Sequence, residues 1–169
     1  MMLQIYTIFH TLISLIAIFT GIIVLFGMIA GKRLDAWTKC FLTTAVLTTV
    51  TGFFFPFYGF TPAIGLGIIS LPFLAVTIFA RCSKHLAGAW RWIYVVGAVI
   101  CLYFNLFVLV VQLFEKVPAL YAIAPSQTES PFKLTQLAVL VLSALLAIVA
   151  VIRFRPEPAS AADGESPPI

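Results

Sequence analysis

Five apolar runs, separated by short polar or aromatic connections, account for most of the chain: residues 6–30, 37–54, 62–80, 90–114 and 132–152. Each is close to the roughly 20 residues that a helix needs to cross a bilayer. The pattern predicts an all-α polytopic membrane helix bundle of five transmembrane helices over residues 1–155, followed by a tail over 156–169. The first run is closed by Gly31, Lys32 and Arg33, and the second ends in an aromatic stretch where Pro56 and Gly59 mark a turn. Pro62 suits the first turn of the third helix. Pro72 lies inside that helix, deprives the Ile68 carbonyl of its donor and predicts a kink. Trp90, Arg91, Trp92 and Tyr94 anchor the start of the fourth helix at headgroup level. The tail, rich in Pro, Ala, Ser and acidic residues, holds too little bulky apolar surface to fold and is expected to be disordered. No internal repeat of 20–50 residues is evident, so an inverted-repeat transporter gains no support.

Composition strengthens this assignment. Hydrophobic residues make up 62% of the chain and charged residues 9%, against about 25% charged in an ordinary soluble protein. The mean hydropathy is +1.12. A length of 169 residues leaves no room for a separate soluble catalytic domain once five spans are placed. Met1 to Gln4 carry no charged side chain and no small-residue cleavage site follows the first run, so that run reads as a retained anchor. The net charge of +4 does not describe a nucleic-acid groove, because eight of the ten basic residues fall in three short segments. Lys32, Arg33 and Lys39 flank the first connection, Arg81, Lys84 and Arg91 the third, and Arg153 and Arg155 follow the last run. Five spans put all three segments on one face, which the positive-inside rule makes cytoplasmic, with the N-terminus outside and the C-terminus inside. A four-span arrangement that merges the second and third runs would separate them.

Several blocks resemble a recurrent type of small, uncharacterised bacterial inner-membrane protein. They are His10 to Leu15, Thr51 to Phe57, His85 to Tyr94, and Tyr103 to Asn105 leading to Val117 to Leu120. The resemblance extends from about His10 to Arg155, implies a multi-pass location in the bacterial inner (cytoplasmic) membrane, and carries no mechanism.

The groups that could do chemistry are few. Asp35, Glu115, Glu129, Glu157, Asp163 and Glu165 all fall in connections, span ends or the tail, which disfavours proton-coupled transport through a buried carboxylate. His10 and His85 belong to opposite faces, which excludes a shared metal or a bis-histidine haem. Cys40, Cys82 and Cys101 lack C-x-x-C or Cys/His spacing and read as small apolar residues. No catalytic or metal motif names a reaction, and no cofactor is specified. Thr44, Thr48 and Thr51 share one face of the second helix, where their hydroxyls are expected to bond back to their own backbone. Gly27-x-x-x-Gly31 and Ser143-x-x-x-Ala147 permit close helix contacts. His10, Ser14, Ala17 and Gly21 recur at helical spacing as a small, partly polar stripe that must face protein.

One constellation remains. Asn105 and Gln112 lie on one face of the fourth helix, about 13 Å and about 3 Å below its outer end. Gln136, early in the fifth helix, and His10 of the first also lie in the outer half, so His10, Asn105, Gln112 and Gln136 form a candidate ligand-binding or interhelical polar cluster there. Polar side chains there require partners, so the four are expected to converge, with His10 paired to Asn105 across the bundle or both lining a ligand pocket. The expected function is that of a non-catalytic binding or accessory subunit, with an outward-facing, mostly apolar pocket for a lipid, a quinone or a partner protein. Two classes compete with it. One is a homo-oligomeric channel or facilitator lined by Thr44, Thr48 and Thr51. The other is a membrane redox protein with His10 as a single haem ligand or quinone partner.

Overall fold

The structure, a computed structural model, describes residues 2–55 and 62–155. The expected turn at Pro56 and Gly59 and the expected tail lie outside the described residues. Those residues form helices without a strand: α1 (Met2–Ile29), α2 (Asp35–Gly52), α3 (Pro62–Cys82), α4 (Trp90–Lys116), α5 (Pro118–Ile123) and α6 (Ser130–Arg153). Four of them, α1, α3, α4 and α6, are long and apolar enough to cross a membrane. The 18-residue α2 differs. It rises only about 27 Å, starts with Asp35 and Lys39 in its first two turns, and carries six threonines. Helix α3 begins at Pro62 as expected and runs unbroken through Pro72. The short α5 is a feature that the hydropathy pattern does not foreshadow.

Helix α4 is the centre of the bundle and touches α1, α2, α3, α5 and α6. The core runs through Val24, Leu25 and Met28 of α1, Phe41 and Ala45 of α2, Leu74 of α3, and Val95, Ala98 and Leu102 of α4. Glycines bring the backbones together, since a small residue lets helices approach where side-chain dispersion must hold them. A Cβ at Gly21 would fall 2.8 Å from Phe41 Cε2, and one at Gly97 would overlap Thr77 Oγ1. The stripe read from α1 faces protein as expected, with Ala17 and Gly21 buried and His10 and Ser14 half-buried. Gly31, which faces the backbone of α6 at Arg153 O, has a second role. It adopts φ +71° and ends α1, with Lys32 N donating to Gly27 O at 2.8 Å and Gly31 N to Met28 O at 3.0 Å. This is a Schellman cap, which needs a left-handed residue and so selects glycine.

The three basic segments do converge on one end of the bundle, but their arginines also serve the interior. Arg81 is only 8% exposed and pairs with Asp35, which Arg33 Nε also meets at 3.0 Å. The Arg81 guanidinium lies 5.5 Å from the centre of the Tyr94 ring, and the Tyr94 hydroxyl reaches Thr38 Oγ1 at 3.5 Å. A buried cation is tolerated here because a carboxylate and an aromatic face compensate it. Arg91 donates to Val151 O at 3.0 Å and to Phe154 O, satisfying carbonyls that the end of α6 leaves without donors. Thus α2 is tied to α3 and α4 to α6, and Gly31 approaches Arg153 O.

At the far end, the connection from α4 to α6 folds back on the bundle. Val110 and Phe114 of α4 pack with Ala124, Leu120 and Phe132, and Gln127 Nε2 donates to Val111 O at 3.1 Å. The Glu129 carboxylate accepts from Ser126 Oγ at 2.7 Å and Thr128 N at 3.0 Å just before α6. The Ser126 hydroxyl, helped by these amides, holds the Glu129 pKa below its ordinary value.

Candidate functional site

The four residues read as an outer polar cluster are not joined to one another by any hydrogen bond among the described residues. Asn105 Nδ2 donates to Cys101 O at 2.9 Å within its own helix. Gln112 Nε2 meets Glu115 Oε2 at 3.3 Å. Gln136 is buried between α6 and α4, where its Nε2 donates to Phe107 O at 3.2 Å while its Oε1 finds no partner among the described residues. The expected His10–Asn105 pair gives way to another. His10 turns toward α2 and Asn105 bonds back to α4, because a short amide on a helix reaches its own i−4 carbonyl without crossing the bundle.

His10 instead belongs to a cluster at the paired ends of α1 and α2. Its Nδ1 lies 2.8 Å from Thr51 Oγ1. One turn earlier, the Tyr6 hydroxyl donates to Thr51 O at 2.6 Å, using a carbonyl at the C-terminal end of α2 that the helix cannot fully satisfy. Phe55 stands edge-on to both rings, with centroid separations of 4.9 Å to Tyr6 and 5.1 Å to His10. Tyr6, His10 and Ser14 follow at intervals of four, so Tyr6 extends the α1 stripe by one step.

The network sets the imidazole tautomer. Thr51 has one hydroxyl proton, and Thr51 Oγ1 lies 2.6 Å from Leu47 O, to which it donates. The lone pair of that oxygen then accepts from His10, so Nδ1 carries a proton and, in the neutral ring, Nε2 carries the lone pair. Among the described residues none donates to Nε2, and His10 as a whole is half-buried. The site therefore presents an imidazole, fixed in orientation by Thr51 and flanked by the Phe55 ring, and its Nε2 is an acceptor when the imidazole is neutral. It can receive a hydrogen bond from a hydroxyl or an N–H group.

The threonines behave largely as backbone-bonded residues. Thr44 Oγ1 donates to Cys40 O at 2.7 Å and Thr51 Oγ1 to Leu47 O, while Thr48 Oγ1 is buried without a partner among the described residues. Of the thiols, Cys101 lies in the core, whereas Cys40 and Cys82 are exposed at the basic end. His85 sits in the connection between α3 and α4, at the end opposite His10. No protein-family model matches the chain, and neither a curated protein nor a solved structure matches it.

Proposed function

We propose that this chain is a non-catalytic, multi-pass protein of the bacterial inner membrane, a binding or accessory subunit whose outer end offers a mostly apolar site to a lipid, a quinone-class molecule or a partner protein. In this reading α2 crosses the bilayer with the other four long helices, the N-terminus lies outside and the basic end faces the cytoplasm. The observation that carries it is the imidazole of His10, oriented by Thr51 and with no partner on its second nitrogen among the described residues, at the aromatic ends of α1 and α2. A histidine kept only for packing has no need of that arrangement. The polarity of Nε2 narrows the ligand, since a lone pair selects a donor: the hydroxyl of a quinol or of a lipid alcohol fits, and a carbonyl does not. The backbone bonds of Thr44 and Thr51 leave a threonine-lined pore with less support.

Purification in mild detergent followed by mass spectrometry of the bound small molecules tests this reading. The wild-type protein should enrich one hydroxylated amphiphile over bulk lipid. His10→Phe, which keeps an aromatic ring and removes Nε2, should reduce its occupancy at least tenfold, about the value of one lost hydrogen bond of roughly 1.4 kcal/mol. Thermal stability without ligand should change little. Equal occupancy in wild type and His10→Phe, or no enrichment at all, would overturn the assignment.

A further inference from the structure

At the opposite end, between α3 and α4, lies an open groove of about 520 Å³ lined by Ala75, Val76, Phe79, Trp90 and Ile93, with almost no polar surface. Phe79 and Trp90 meet edge-to-face at its mouth, their centroids 5.3 Å apart. Over both rings stands the ammonium group of Lys84, 5.5 Å from the Phe79 centroid and 5.7 Å from that of Trp90. Lys84 is exposed and forms no ion pair among the described residues. Arg81 and Arg91 nearby are engaged with Asp35 and with the end of α6.

The backbone holds Lys84 in that position. His85, Leu86 and Gly88 have φ of 49°, 61° and 52°, a left-handed run that side chains other than glycine adopt only under constraint. The constraint is Leu86, which is buried in the core and whose N–H donates to Ala80 O at 3.1 Å, while Lys84 N donates to Phe79 O at 3.1 Å. The connection is thus folded inward at Leu86, which leaves the Lys84 ammonium over the aromatic mouth.

An apolar groove that ends in a cation with no acidic partner among the described residues, at the basic end of a membrane bundle, has the polarity of an anionic lipid. Between Ala75 and Phe79 it extends about 6 Å along α3, enough for the upper part of one acyl chain. Surrounding lipid is as apolar as the groove, so the chain alone gives little preference. Selection must come from the headgroup, where a lysine near an anionic surface contributes an attraction that a zwitterionic lipid does not match. We propose that this groove is a binding site for an anionic phospholipid, its acyl chain against Val76, Phe79, Trp90 and Ile93 and its phosphate on Lys84. The site is at the other end of the bundle from His10 and shares only its membrane setting with the function proposed above.

The test is native mass spectrometry of the full chain released from detergent after equilibration with phosphatidylglycerol or phosphatidylcholine. Wild type should retain phosphatidylglycerol over phosphatidylcholine by about fivefold, the value of one lysine at an anionic surface. Lys84→Gln, at an exposed position, should bring the ratio close to one without lowering Tm. Val76→Trp, which fills the groove, should reduce retention of both lipids, and excess inorganic phosphate should displace neither. Equal retention in wild type, or an unchanged ratio in Lys84→Gln, overturns the proposal. Displacement by phosphate would show an anion site without the chain. A dimer that Val76→Trp abolishes would make the groove a contact between copies, and either result also overturns it.

Discussion

Gly97→Ala should destabilise the bundle by about 1–3 kcal/mol, the usual cost of overfilling a packed interior, even though the same change in an unobstructed helix stabilises by about 0.5–1 kcal/mol. The new methyl would overlap Thr77 Oγ1. That atom cannot easily yield, because Thr77 is fully buried and donates to Phe73 O at 2.6 Å. Either α3 and α4 separate or the threonine gives up its hydrogen bond. The pair of substitutions distinguishes this steric cause from a general intolerance of the site. Thr77→Ala removes the obstructing oxygen, so Gly97→Ala should cost distinctly less in that background, with a coupling of about 1 kcal/mol. Thermal unfolding in detergent reads the difference. An unchanged or raised Tm for Gly97→Ala would mean that α3 and α4 are not this close.

Asp35→Ala should cost about 1–3 kcal/mol, and more than its position at the start of α2 accounts for. Loss of an acid from a first helical turn is worth about 0.3–1 kcal/mol. The remainder comes from Arg81, which is 8% exposed and would keep its charge while losing its carboxylate. Removing one partner of a fully buried pair costs about 3–5 kcal/mol. The expectation here is lower because Asp35 is 57% exposed and screened by solvent, and because the Tyr94 ring still faces the guanidinium. Arg81→Met in the Asp35→Ala background should restore part of the loss, since it replaces an uncompensated charge by an apolar chain of similar length. Additive losses would show that the two side chains do not act as a pair.

These two sites mark the boundary of what the amino-acid sequence discloses. Apolar runs place the five long helices to within a few residues, because runs of that length are too long for strands and read as helices. The clustering of Lys and Arg likewise identifies one end of the bundle. What the runs do not encode is the neighbour of each face, since lipid and an adjacent helix look alike to a leucine. For that reason Arg81 reads as a headgroup cation although it points inward to Asp35. For the same reason depth alone matches His10 with Asn105, whereas its partner Thr51 is found only once α1 and α2 are known to lie side by side. Depth is legible from the helical rise; azimuth across helices is not. Gln136 meets the Phe107 carbonyl of α4 and no side chain of the expected cluster, a partner that no count of side chains along the helices discloses. The role of Gly31 could have been read from the Lys32 and Arg33 that follow it, which mark a helix end where glycine adopts a left-handed conformation.

The placement of both proposed sites in the cell rests on α2 crossing the membrane and on the basic end facing inward. Single cysteines test this directly in a background where Cys40, Cys82 and Cys101 are replaced by alanine. Lys32→Cys, Phe54→Cys, Ser126→Cys and Arg155→Cys all alter exposed side chains in the connections or beyond the last helix. An impermeant maleimide should label Phe54→Cys and Ser126→Cys in right-side-out vesicles and Lys32→Cys and Arg155→Cys only in inverted ones. Labelling of Lys32→Cys and Phe54→Cys from the same side would contradict the crossing of α2, and reversal of the whole pattern would contradict the orientation.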